Sequence, residues 1–162
     1  MSTPHLAGQS LLLAGTIGTG LYAAIRGIDK IDINDAATNQ HLLRSGFDRP
    51  TFLYSAVIVV ALAVLQLMIF GIHHRTGQTD GSMRSFLLLS GIFSVVFGSI
   101  LLMEAAVVFN HKNSASGTEI TVDDGRRAVE VGLVAGGLAI ASGAGLVLSC
   151  VSYKSRVTSL LY

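Results

Sequence analysis

The residues with chemistry to offer sit in or beside long apolar runs, and Glu104 comes first. It lies in the run 85–109, where an ionisable side chain near a bilayer centre costs roughly 2.5–3.5 kcal/mol on insertion scales. A proton or cation site is one use for such a group. An anchor is the other. About one and a half turns, or roughly 7–8 Å of helix, separate Glu104 from Asn110, so its carboxylate can reach headgroup water. On a helical wheel it groups with Phe93, Phe97 and His111, nearly opposite Gly91, Ser94 and Gly98. With the glycine face inward, Glu104 is expected to point to headgroups or to a partner protein.

Gln66, the one strongly polar side chain in the run 52–72, lies in the other leaflet and reads as an interhelical hydrogen-bonding group. His73 and His74 have the chemistry of metal or haem ligands. Adjacent helical positions point about 100° apart, however, so a basic, snorkelling helix end is the better reading. The stretch 15–20, GTIGTG, has the glycines of a nucleotide loop but sits in the middle of an apolar run rather than after a strand. G-x-S-x-G, Walker, H-E-x-x-H and C-x-x-C patterns do not occur. No catalytic residue, metal or cofactor is assigned, and a non-enzymatic protein is expected.

The elements that must position these groups follow from composition. Of the 162 residues, 51% are hydrophobic and 13% charged, against about 25% charged in a soluble domain. A mean hydropathy of +0.61 agrees. Most of the 18 glycines lie inside apolar runs, a habit of membrane helices whose neighbours offset glycine's poor propensity. The net charge of +1, with no basic cluster beyond pairs, argues against a nucleic-acid partner. Cys150 is a single cysteine, so no disulfide within the chain is possible.

Four runs match the ~20 residues needed to cross a ~30 Å core: about 6–25, 52–72, 85–109 and 129–152. Nothing basic precedes the first, so it reads as a retained span rather than a signal peptide. The fold class is thus an all-α membrane protein, a single domain built as a four-transmembrane-helix bundle with both termini on one side. The loops are 26–51, 73–84 and 110–128, with a tail at 153–162. Within the first, residues 28–33 have a rough period-2 pattern and could form a short strand, followed by a short helix over 36–44 and a stop at Gly46. Residues 118–122 are β-prone, so a small β element between the first and third loops is possible. The tight 73–84 connection makes spans two and three antiparallel neighbours. Basic residues are more numerous on the side of the long loops. The short loop and tail are almost free of acids, which tips the orientation towards cytoplasmic termini.

Membrane helices associate where small residues let backbones approach. In span four Gly132, Gly136, Ala139 and Gly143 share one face, and Gly137, Ala141 and Gly145 the opposite one, predicting neighbours on both sides. Span three offers Gly91, Ser94, Gly98 and Ala105, and span one Ala7, Ser10, Ala14 and Gly18. Span two is bulky and is expected to be the most lipid-exposed.

The long first loop, tight middle loop and moderate last loop resemble the claudin/MARVEL-type tetraspans in topology. The W-x-x-W stretch and paired cysteines of claudins are missing, so no residue roles transfer. Size, span number and glycine content are also similar to the two-hairpin proteolipid of rotary ATPases. That family has very short connections and a mid-membrane carboxylate on its fourth span, which this chain lacks. The expected role is that of a self-assembling scaffold or accessory subunit. Its partners would be membrane lipids, copies of itself or a larger membrane complex. The alternative is a small channel or transporter using Glu104.

Overall fold

The computed structural model describes residues 3–30, 46–76, 81–114 and 123–159, with side chains over 7–28, 46–72, 81–107 and 127–151. All of these but Gly46, Phe47 and Asp48 are helical. The helices are α1 (Thr3–Lys30), α2 (Arg49–Thr76), α3 (Gly81–Ser114) and α4 (Asp123–Ser159). Each contains a stretch long and apolar enough to cross a membrane: Ala7–Ile28, Arg49–Ile72, Gly81–Val107 and Arg127–Val151. The chain is therefore a four-span membrane protein. Among the described residues there is no strand, and α1 runs on through Ile28, Asp29 and Lys30, where the short strand was expected to begin. An unbroken backbone hydrogen-bond ladder outweighs the local alternation there. The rest of that β element and the short helix at 36–44 lie outside the described residues.

Consecutive helices pack side by side and α4 closes the ring against α1, giving an up-down-up-down bundle. Ala23, Ala24, Phe52, Ala56, Leu101, Ala105, Val129 and Ala135 fill one half of the core, beside the long loops. Leu13, Ala63, Phe70, Leu87, Leu146 and Cys150 fill the other, beside the termini. The most extensive seam joins α3 to α4. A Cβ built on Gly98 would lie 3.0 Å from the Gly136 carbonyl oxygen, and one on Gly136 would lie 2.8 Å from that of Gly98. Seven residues along, Gly91 and Gly143 repeat the arrangement at 3.0 and 2.5 Å. The two backbones thus touch at two points one heptad apart, close enough for Cα–H···O contacts.

Two of the expected packing faces differ. On α1 the buried stripe is Leu13, Thr16, Gly20, Ala23 and Gly27, while Ala7, Ala14 and Gly18 face outward and a Cβ on Gly18 would meet nothing within 4 Å. Gly20 makes the close approach instead: a Cβ built there would lie 2.6 Å from Val60 Cγ2. α2 is no more exposed than α1 or α3: in each of the three, 33% of the most apolar stretch is buried, against 39% in α4. The inward stripe of α2 is Phe52, Ala56, Val59, Ala63, Gln66 and Phe70, and the large side chains fit where neighbours carry glycine. Phe52, fully buried, lies over Gly132 of α4, whose Cβ would fall 2.6 Å from the ring. Of the second small face on α4, Gly145 touches the Gln9 amide of α1, whereas Gly137 faces open space.

Candidate functional site: the polar groups within the bundle

At the start of α2, three short-range features fix how the chain enters the membrane. Gly46 has φ 79°, a left-handed conformation that suits glycine because it has no Cβ. The reversal lets Phe47 bury and set its ring 5.6 Å from that of Phe52. Phe47 precedes the N-cap and Phe52 is the fourth helical residue, which is the hydrophobic staple. Asp48 is the N-cap. Its carboxylate accepts a hydrogen bond from Thr51 Oγ1, and its carbonyl accepts the first helical bond from Phe52 N at 3.0 Å.

In a capping box the third helical residue, a Glu or Gln, reaches back to the N-cap N–H. Here that residue is Thr51, and the carboxylate comes from another helix: Asp48 N donates to Glu104 Oε2 at 3.0 Å. Glu104 is half-buried and ties the end of α3 to the start of α2. A carboxylate suits that place because the first turn of a helix carries unsatisfied N–H groups and the positive end of its dipole. Glu104 does lie off the glycine face, as the wheel placed it. The observed bond is to the neighbouring helix rather than to headgroups or another protein. Nearby, Arg49 Nη2 donates to Ile28 O at 2.8 Å, satisfying a terminal carbonyl of α1. Arg26 lies 6.0 Å from the Tyr22 ring centroid, within cation–π range. Tyr54 is exposed. The side chains of His111 and Lys112 lie outside those described.

Gln66 is fully buried, and its Nε2 donates to Ser94 Oγ at 3.0 Å, joining α2 to α3. It belongs to the half of the bundle near the termini, opposite Glu104. At that far end Arg84 Nη2 donates to the Cys150 carbonyl, and Cys150 Sγ lies 4.0 Å from the Arg84 carbonyl. This α3–α4 clasp had no sequence signal beyond the depth of the two residues. The side chains of His73 and His74, in the last turn of α2, lie outside those described. Among the described residues, no group of three His, Cys, Asp or Glu side chains converges as a metal site would require.

The sequence singled out Glu104 and Gln66 and missed their partners. For Glu104 the findable signal was the run Phe47-Asp48-x-x-Thr51-Phe52, a staple and N-cap whose N3 residue cannot supply the return bond. For Gln66 it was Ser94, a hydroxyl among the glycines of the same inward face. No family model, curated protein or solved structure matches the chain.

Proposed function

We propose that the protein is a non-enzymatic membrane scaffold or accessory subunit, working through lateral contacts with copies of itself, with lipids or with a larger membrane complex. The observation that supports this is the engagement of Glu104. The one carboxylate of the run 85–109 holds α2 to α3 through the Asp48 N–H. The polar group best suited to transport chemistry thus has a structural partner, and the outer surface is left to act. That surface is apolar on every helix, with Leu11, Tyr54, Met103 and Leu148 among its exposed side chains. Size measurement in mild detergent and in native-lipid discs tests the reading. A defined oligomer or a stoichiometric partner is expected, and a bare monomer in both media refutes it.

A second reading, a small channel or transporter, draws on the same residue, because Glu104 is only half-buried. Flux through reconstituted liposomes that disappears in Glu104→Gln would establish it and displace the scaffold. The acid-poor short loop and tail favour termini in the cytoplasm. Labelling of single cysteines placed in the tail of a Cys150→Ala background reads that orientation directly.

A further inference from the structure

The core near the termini is rich in hydrogen-bond acceptors and short of donors. Thr16 Oγ1 donates to Leu12 O at 2.8 Å, Ser90 Oγ to Leu87 O at 3.1 Å and Ser142 Oγ to Ala139 O at 3.1 Å. All three side chains are buried. Each hydroxyl folds back on its own helix and has only lone pairs left to offer.

Gln66 breaks this pattern. Its side chain is 0% exposed and its Nε2 reaches Ser94 Oγ, yet its Oε1 has no hydrogen-bond partner among the described residues. Turning the amide over moves the deficit without removing it, since the NH2 would then be left over. Ser94 in turn lies against Gly143, where a Cβ would fall 3.0 Å from Ser94 Cβ. The site therefore borders the close-packed α3–α4 seam. A second buried amide oxygen, Gln9 Oε1, also lacks a partner among the described residues, and Gln9 lies in the same half, against Gly145.

We propose that Gln66 and Ser94 form a binding site for an internal water molecule between α2 and α3. A buried polar group is normally paired with protein or with ordered water, and a buried water normally makes two to four hydrogen bonds. Gln66 Oε1 and Ser94 Oγ supply the first two acceptors. Water both donates and accepts, so it completes the site in either amide orientation; a metal cation completes only one. The opposite half has an orphaned donor of its own among the described residues, Arg49 Nε at its outer end, but its centre, lined by Phe52, Leu101, Val129 and Ala135, is apolar. The site is independent of the scaffold and transport readings.

The test is water-edited solid-state NMR on the ¹⁵N-labelled full chain in phosphatidylcholine liposomes, with the Gln66→Leu variant assigning the side-chain NH2 signal. Polarisation from water is expected to reach the Gln66 NH2 and the Ser94 amide severalfold faster than the Leu101 amide. In Gln66→Leu the Ser94 transfer is expected to fall to the Leu101 rate. Equal, slow transfer at Gln66 and Leu101 in the wild-type chain overturns the proposal. So does a Gln66 signal that moves when sodium is replaced by choline, because the guest is then a cation.

Discussion

A single added methyl group separates the two kinds of glycine in this bundle. At Gly143 a Cβ would lie 2.5 Å from the Gly91 carbonyl oxygen and 3.0 Å from both Ser94 Cβ and Val95 Cγ2, where ordinary contact is 3.4–4 Å. The nearest of these is backbone and cannot rotate away, so α3 and α4 must part. Overpacking of this sort costs about 1–3 kcal/mol, and parting the helices also loosens the Gly98–Gly136 crossing one heptad along. Alanine's better helix propensity offsets about 0.5–1 kcal/mol. The net expectation for Gly143→Ala is a loss of up to about 2.5 kcal/mol. At Gly18 and Gly137 the same Cβ meets nothing within 4 Å, so only the propensity difference remains. Alanine there should be neutral or stabilising by up to about 1 kcal/mol. Reversible unfolding in mixed micelles, followed by circular dichroism across an SDS titration, measures all three variants. Equal midpoint shifts for Gly18→Ala and Gly143→Ala would refute the assignment of the α3–α4 seam, and so would a stabilised Gly143→Ala.

Phe52→Ala empties the space over Gly132 and is expected to cost about 3–5 kcal/mol in the same titration. Gly132→Ala should be better tolerated in a Phe52→Leu background than alone, with a coupling of about 0.5–3 kcal/mol in the double-mutant cycle. Glu104→Ala removes the acceptor for the Asp48 N–H and is expected to cost about 1 kcal/mol, as lost caps do. Glu104→Gln should keep much of that stability, since its amide oxygen still accepts the bond; hydrogen exchange at the Asp48 amide should be faster in the alanine variant alone. Arg84→Met releases the Cys150 carbonyl and is expected to cost about 1 kcal/mol. It should speed amide exchange in the last turns of α4 while leaving the Phe52 end unchanged.

The number, order and approximate bounds of the spans were legible because a bilayer imposes a length and a polarity that local sequence must meet. Antiparallel pairing of α2 with α3 followed from the tight connection between them. The small faces of α3 and α4 were visible in their glycines, but which helix each face would meet was not. Bonds across the bundle were a different matter. Glu104 was visible as an anomaly in an apolar run, but its partner is a backbone N–H 56 positions away. Any residue but proline carries that group, so its own side chain does not mark it; only the staple and N-cap pattern around it, Phe47-Asp48-x-x-Thr51-Phe52, does. The Cys150 carbonyl that Arg84 meets has no such mark. Hydropathy reads what a helix buries and is blind to which main-chain group a side chain will find.

The misread face of α1 shows what a small-residue count leaves out. Ala7, Ser10, Ala14 and Gly18 make a convincing stripe over the first half of the helix. Continued at the same spacing, the stripe passes to Leu21 and Ile25, both exposed. The buried stripe starts less promisingly at Leu13 and Thr16 and continues through Gly20, Ala23 and Gly27. Close approach is needed where α1 meets the bulkiest part of its neighbours, and Val60 and Phe52 of α2 lie beside Gly20 and Ala23. The side chains of α2 that suggested lipid exposure are therefore the reason for the glycines opposite them. Steps of three and four residues recur along the inward stripes of α1, α2 and α3, the pattern of helices packed near antiparallel with a left-handed wrap. Over a full span that spacing admits few faces, and complementarity in volume between neighbours selects among them. A face is thus a property of a helix pair: large against small decided it for α1 with α2, and small against small for α3 with α4.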